Sequence, residues 1–147
     1  MVKATMVLAD AATVSEGKLN LLGAGWNLIG PQPAPTAIGL LLEIPWDEAN
    51  RRHHLRLTLT NADGHPIQVR GPDGTEQALE LQADVEVGRP PGVRPGTALP
   101  VPLAIPLAPL PLAPGQRYVW QLFVDDETRD EWRLTFDTRE SDMRLAG

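Results

Sequence analysis

Hydrophobic and polar residues alternate along most of this chain, and the spacing of an amphipathic helix is not sustained anywhere. The clearest case is Leu79–Val87, where Leu, Ala or Val at every second position alternates with Glu, Gln or Asp. Successive side chains of a strand point to opposite faces, so this pattern predicts a strand with one buried and one solvated face. Similar alternation recurs in Ile38–Ile44 and Leu55–Leu59. The chain is therefore predicted to be all-β.

Turn sequences divide these segments into about eight or nine strands, a number typical of a two-sheet antiparallel sandwich. The turns include "SEGK" around Gly17, "NADG" at 61–64 and "GPDG" at 71–74. The last two strands, Tyr118–Val124 and Trp132–Phe136, are predicted to form a hairpin across "DDETRDE".

The length of the chain suits a single domain. A chain of 147 residues can bury roughly two thirds of its extended surface without the help of disulfides or a metal. We expect one sandwich domain over residues 1–140 and a short C-terminal tail over residues 141–147.

Prolines punctuate one predicted strand, "LPVPLAIPL" at 99–107. Val101, Leu103 and Ile105 share one face, while Pro100, Pro102 and Pro106 occupy the opposite phase. Backbone N–H groups of residues i and i+2 point to the same side of a strand, so the missing donors all fall on one edge. The pattern predicts an edge strand, and the alternative, an exposed polyproline II ligand, would leave the apolar face in water.

The segment "LAPGQRYVWQL" at 112–122 resembles the tyrosine corner of fibronectin type III and other immunoglobulin-like domains. In that motif a Tyr hydroxyl ties a strand crossover to backbone upstream. The resemblance implies an immunoglobulin-like sandwich and a structural role for Tyr118, but no function.

The N-terminal third is similar to an uncharacterised bacterial family known only as a domain of unknown function. The similarity lies in "VLADAATVSEGKLNLLGAGWNLIGPQPAP", with its Leu-x-Asp start, Gly-Lys hairpin, Leu-Leu-Gly and Pro-rich turn, and spans about residues 5–65. It implies a β-sandwich and carries no activity, ligand or catalytic residue.

The amino-acid composition of the chain limits the kinds of molecule that it is expected to bind. The net charge of −6 comes with scattered acids and no basic stripe, so nucleic acid is not expected. There is no cysteine, which excludes disulfides and thiolate chemistry and suits a reducing compartment.

The first apolar run is cut by Asp10, and no stretch reaches the roughly 20 apolar residues of a membrane span. We expect a cytoplasmic protein that does not bind membranes.

The densest run of reactive side chains is "IPWDEANRRHH" at 44–54. Asp47 and Arg51 have the i, i+4 spacing of an ion pair, as do Glu48 and Arg52, and Asp47 can cap a short turn. At most one short helical turn is therefore predicted, near residues 46–52. This turn would place Trp46 at one end of the sandwich.

Histidines in this run are the first metal candidates. On one strand His53 and His54 point to opposite faces, so they cannot chelate one ion together. His53 has the core-facing phase and is predicted to be a buried, hydrogen-bonded structural residue. The acidic loop at 125–131 is predicted to be a solvated hairpin tip, and a cation there is left open. No cofactor, metal site or Ser/His/Asp arrangement is predicted.

Function is therefore predicted to be non-enzymatic and to depend on protein association, with a homo-oligomer or another protein as partner. Val119 and Phe123 lie in the opposite phase to Tyr118 and Trp120, so one sheet is expected to bury its second face against a partner. Two alternatives remain open. One is a small-ligand or carbohydrate module that uses Trp26, Trp46, Trp120 or Trp132, and the other is a metal-dependent hydrolase through His53.

Overall fold

The computed structural model describes residues 1–141, so all of the predicted tail except Ser141 lies outside the described residues. Within residues 1–141 the chain forms twelve strands and one short 3-10 turn at Trp46–Glu48. The strands are Lys3–Ala9 (β1), Ala11–Ser15 (β2), Lys18–Leu22 (β3), Leu28–Ile29 (β4), Thr36–Ile44 (β5), His53–Asn61 (β6), Gln68–Arg70 (β7), Glu76–Ala78 (β8), Glu80–Val85 (β9), Leu99–Leu107 (β10), Arg117–Val124 (β11) and Arg133–Thr138 (β12).

Two sheets make up the sandwich. One has three strands in the order β1-β5-β10, and the other has five in the order β4-β12-β11-β6-β9. All neighbours are antiparallel except β4, which runs parallel to β12. The prediction of an all-β, sandwich-like fold is confirmed. The strand total exceeds the predicted eight or nine because the β2–β3 and β7–β8 hairpins form small two-stranded sheets of their own.

The core lies between the inner faces of the two sheets. On β5 the alternate residues Ile38, Leu40, Leu42 and Ile44 are completely buried. They belong to one apolar cluster with inward side chains of the five-stranded sheet, which include Leu55, Leu57 and Leu59 on β6 and Trp120 and Leu122 on β11. The alternation in the sequence thus marks one shared core. None of the described residues belongs to a helix of the length and hydropathy needed to cross a lipid bilayer.

β10 is an edge strand, in agreement with its proline pattern. It pairs with β5 through Val101↔Leu42, Leu103↔Leu40 and Ile105↔Ile38, and it has no second neighbour in the sheet. Proline has no N–H group to donate, so the N–H groups that bond β10 to β5 must come from the odd-numbered residues. The backbone nitrogens of the three prolines must then face the free edge of the sheet. The alternative of an exposed polyproline II segment is wrong.

The β2–β3 hairpin lies over the outer face of the three-stranded sheet. A Cβ atom at Gly39 of β5 would overlap the side chain of Leu21 and would lie 3.3 Å from Cδ2 of Leu19. Glycine at this position therefore allows the hairpin to approach the sheet closely.

Candidate functional site

Two segments that stood apart in the sequence meet at one end of the sandwich. The end of β5 leads through the 3-10 turn to His53, the first residue of β6, and the β11–β12 hairpin brings Asp125 beside it. The His53 side chain is 0% exposed. Its Nδ1 lies 2.8 Å from Oδ2 of Asp125, and its Nε2 lies 3.0 Å from the carbonyl oxygen of Glu48. We call His53, Asp125 and the Glu48 carbonyl the His53 clamp.

The partners of His53 determine its protonation. A carbonyl oxygen and an ionised carboxylate only accept hydrogen bonds, so both ring nitrogens must donate and the ring is an imidazolium. Burial by itself lowers the pKa of His53, but the hydrogen bonds to Glu48 and Asp125 and the charge of Asp125 outweigh it. The net result is a pKa above the ordinary histidine value. A charged, buried histidine therefore holds the turn and the hairpin together.

Asp125 is held in an unusual conformation. Asp125 and Asp126 have φ angles of 51° and 65°, and Val124 and Glu127 exchange backbone hydrogen bonds of 2.8 and 3.0 Å across them. Two successive left-handed residues in a two-residue loop form a type I′ turn, where Asn and Gly are preferred. Oδ1 of Asp125 also accepts the N–H of His54 at 2.9 Å. The two bonds of this carboxylate anchor the turn to β6.

The pKa of Asp125 changes in the opposite direction. Partial burial would raise the pKa of Asp125, but the N–H of His54 and the ring of His53 donate to its carboxylate, and their combined effect lowers it. The histidine and the aspartate therefore remain charged together between their two ordinary pKa values.

This arrangement leaves His53 without a free nitrogen for a metal or a substrate proton. His54 points the other way, with Nδ1 2.9 Å from Oδ1 of Asp84 on the exposed face. Within residues 1–141 no three His, Asp or Glu side chains converge as a metal site would require. In this geometry the run at residues 44–54 caps the start of β6.

The predicted charge pairing in the turn is wrong in its spacing. Arg51 Nη2 lies 2.6 Å from Oε1 of Glu48, three residues earlier, instead of pairing with Asp47. The 3-10 turn ends at Glu48, Ala49 is extended and Asn50 has a φ of 60°, so the i, i+4 spacing of an α-helix does not apply to these side chains. The capping role predicted for Asp47 is also wrong, because the residue that precedes the turn is Pro45 and no side chain caps it.

Trp46 is half-buried beside the loop that follows β9. The guanidinium carbon of Arg89 lies 4.8 Å from the centre of its ring, and Nε and Nη2 of Arg89 donate to the Trp46 carbonyl at 3.1 and 2.6 Å. Trp120 and Trp132 are buried in the core, while Trp26 packs edge-on against Phe136 with ring centres 6.0 Å apart. Trp120, Trp132 and Trp26 therefore belong to the core or pack against it, and the four tryptophans do not form a shared exposed platform.

Val119 and Phe123 lie on the outer face of the five-stranded sheet, where both are half-buried. Val119 is flanked by Thr60 and Thr135 in the register of the sheet. The guanidinium carbon of Arg56 stacks 4.0 Å from the centre of the Phe123 ring. These two apolar residues therefore stand among polar ones, and the expectation that this face is buried against a partner stays a prediction.

Tyr118 joins two parts of the fold. Its hydroxyl accepts the N–H of Ala113, five residues upstream, at 2.8 Å. Its buried ring stacks on Phe136 with centres 5.8 Å apart. The hydroxyl therefore satisfies a backbone donor in the segment that leads into β11.

Comparison with known protein families gives a match that covers nearly all of the sandwich. A family model with the description "Family of unknown function (DUF6941)" matches residues 4–137. The chain belongs to the DUF6941 family. No curated protein and no solved structure shows a significant match to it. The expectation of an uncharacterised domain family is confirmed, and the match extends from β1 to β12 of this DUF6941 protein, well beyond the N-terminal third.

Two surface features of the DUF6941 chain did not emerge from its sequence. The first is a group of exposed side chains on the β2–β3 hairpin, where Val14, Leu21 and Leu22 are 44%, 37% and 70% exposed. The alternation of these short strands predicts the hairpin, but nothing local shows which face remains uncovered.

The second feature is an apolar groove of about 410 Å³ between the edge strands β9 and β10. We call it the seam groove. Its sides are formed by Leu81, Ala83, Leu103 and Ile105, and the buried Leu40 and Leu122 lie at its floor. The only signal in the sequence is Ala83, a small residue at a core-facing position.

Proposed function

We propose that this DUF6941 protein is a non-enzymatic β-sandwich that acts by protein association, most directly as a self-assembling or structural subunit. The observation that carries the proposal is the apolar surface of the β2–β3 hairpin. Val14, Leu21 and Leu22 stand there with 44%, 37% and 70% exposure. Val14 pairs with Leu19 and shares the face of Leu21, while Leu22 stands on the opposite face, so the hairpin exposes apolar side chains on both faces. Exposed apolar side chains on a hairpin are typical of an interaction surface.

The attachment of the hairpin supports this proposal. The hairpin belongs to neither main sheet, and an isolated two-stranded hairpin is only marginally stable in water. One face of it rests on the sheet near Gly39 through Leu19 and Leu21. A second copy that covered Leu22 would bury the opposite side of the hairpin. The hairpin tip carries Glu16 and Lys18, of opposite charge, so two tips related by a twofold axis can attract each other.

The alternatives have weaker support. A small-ligand or carbohydrate module would have to use Trp46, since Trp120 and Trp132 are buried and Trp26 packs on Phe136. The ring of Trp46 is already stacked by Arg89. A metal-dependent hydrolase through His53 has the least support, because both ring nitrogens of His53 are hydrogen-bonded.

We also propose that the sandwich is immunoglobulin-like and that the protein works in the cytoplasm. The Tyr118 hydroxyl bonded to backbone upstream supports the first proposal. The lack of cysteine supports the second.

Light scattering coupled to size exclusion tests the association. We expect the wild type to form a dimer or larger oligomer at micromolar concentration and the Val14→Thr/Leu21→Ser/Leu22→Ser variant to elute as a monomer. Leu28→Ser is the matched control, because Leu28 is 38% exposed but lies on β4, and this variant should assemble as the wild type does. A monomeric wild type would refute the proposal.

A further inference from the structure

The terminal strand β9 has a free backbone edge, and the hydrogen bonds of β6 show which residues face it. The N–H of His54 donates to Oδ1 of Asp125, and its C=O accepts the N–H of Asp125, so the backbone of His54 points toward β11. The alternate residues His53, Leu55 and Leu57 must then bond to β9.

The register of the β6–β9 pair completes this assignment. His53, Leu55 and Leu57 stand opposite Val85, Ala83 and Leu81. Those three residues of β9 therefore use their N–H and C=O groups within the sheet. The N–H and C=O groups of Glu80, Gln82 and Asp84 point outward along the edge, and no hydrogen bond to them is found within residues 1–141. A free edge of this kind is a template for another strand.

The seam groove lies beside this edge. Leu81 and Ala83 have the core-facing phase, yet Leu81 is only half-buried and Ala83 is exposed. Across the groove, Leu103 and Ile105 of β10 are also half-buried. A strand added to β9 would point every second side chain into this space of about 410 Å³, so apolar side chains there would complete the core.

The opposite wall cannot accept a strand. Pro100, Pro102 and Pro106 face the free edge of β10, so Ala104 supplies its single remaining donor between residues 100 and 106. Pairing at the seam is therefore directed to β9.

The charges on β9 select the chemistry of the guest. The outward side chains of an added strand would lie beside Glu80, Gln82 and Asp84. Glu80 lies 3.1 Å from Arg56, and Asp84 lies 2.9 Å from His54, but the two carboxylate side chains remain 34% and 50% exposed. Basic residues on the guest are favoured there. A second copy of β9 would instead place these acids opposite each other, which disfavours β9–β9 pairing.

We propose that the β9 edge and the seam groove together bind an extended segment of a partner protein by strand addition. The segment has Val or Leu at alternate positions, which fill the groove, and Lys or Arg at the positions between them. This site is separate from the hairpin surface, so the proposal goes beyond self-assembly.

Binding of a labelled seven-residue peptide, in which Val or Leu alternates with Lys or Arg, tests the proposal by fluorescence anisotropy. We expect saturable binding to the full chain. A peptide of the same composition with its apolar residues grouped together should bind roughly tenfold more weakly, because it cannot fill the groove and face the acids at once. Equal binding of the two peptides would show attraction by charge alone and would overturn the proposal, as would no binding at millimolar peptide.

Substitutions at Gln82 test the backbone pairing. Gln82→Pro removes an outward donor and leaves the bonds to β6 intact, just as the prolines of β10 spare β5. We expect roughly tenfold weaker binding, whereas Gln82→Ala, which keeps the N–H, should bind like the wild type. Thermal unfolding of both variants checks that they fold.

In the wild type, bound peptide should slow hydrogen exchange at the amides of Gln82 and Asp84. Equal affinities of the two Gln82 variants, or unchanged exchange at both amides, would overturn strand addition.

The variant with three substitutions in the β2–β3 hairpin distinguishes this proposal from the proposed function. Val14→Thr/Leu21→Ser/Leu22→Ser should bind the peptide with the affinity of the wild type. A loss of binding in that variant would place the peptide on the hairpin surface and overturn the assignment to β9.

Discussion

Asp125 reaches back 72 positions along the chain to His53, and the two side chains meet at 2.8 Å. One is a turn residue in the left-handed conformation, and the other is a fully buried residue at the start of β6. The contact connects the tip of the β11–β12 hairpin to the end of the sandwich. It gives His53, in the dense run of acids, arginines and histidines, a structural role.

Replacing Asp125 should destabilise the protein. Asp125→Asn keeps the shape of the side chain but removes the charge that His53 and the N–H of His54 bond to. We expect a loss of about 1–3 kcal/mol in the free energy of unfolding, measured with urea. Asp126→Asn is the matched control, because Asp126 also has a positive φ and Asn tolerates that conformation. Equal stability of the two variants would contradict the clamp.

The clamp should also give stability a defined dependence on pH. The folded-state pKa of His53 is raised above 6.5, so its contribution is fully present below pH 6.5 and is lost as the pH rises through the folded pKa. The folded-state pKa of Asp125 is lowered below 3.8, so its contribution is present above pH 3.8 and is lost as the pH falls through the folded pKa. The stability difference between the wild type and Asp125→Asn should therefore be largest between these two pH values.

Urea unfolding of both proteins across the pH range measures this difference, and NMR titration of the His53 ring identifies its source. Both ring nitrogens should carry a proton at pH 6.5. A His53 resonance that titrates below pH 6.5 would contradict the imidazolium.

Much of this fold could be predicted from local pattern, because period two and the phase of the prolines are properties of single strands. The all-β class and the edge position of β10 follow from such patterns, as does the inward phase of His53. The contact of Asp125 with His53 could not be predicted, because it depends on which strands are neighbours. The pairing of Arg51 with Glu48 could not be predicted either, because the turn ends at Glu48 and the residues between the two side chains are not helical. The seam groove depends on the order of strands in both sheets.

Removing the hydroxyl of Tyr118 should leave a backbone donor without a partner. In Tyr118→Phe the N–H of Ala113 loses the acceptor that now lies 2.8 Å away, while the ring can keep its stacking on Phe136. We expect a loss of about 1–3 kcal/mol in the free energy of unfolding. Thr135→Val, on the outer face of β12, is the control and should change the stability by less than about 0.5 kcal/mol. An unaltered unfolding midpoint in Tyr118→Phe would show that the bond is dispensable.

Gly39 should couple the hairpin to the sheet. Gly39→Ala places a methyl group against Leu21, which must shift, and we expect a loss of about 1–3 kcal/mol. In the double variant with Leu21→Ala the methyl group has room, so the two losses should not add. A double-mutant cycle by chemical unfolding measures the coupling. Strict additivity would mean that the hairpin does not rest on this glycine.

Self-association through the β2–β3 hairpin is the central claim, and the lack of cysteine in the chain allows a direct test of it. Asn20→Cys introduces one thiol on the outward phase of the hairpin, beside Leu22 on the same face, and Glu131→Cys introduces one on the exposed β11–β12 loop. Mild oxidation at micromolar concentration, followed by non-reducing electrophoresis, should trap a covalent dimer of Asn20→Cys and leave Glu131→Cys monomeric. Equal cross-linking of the two variants, or none in either, would contradict association through the hairpin.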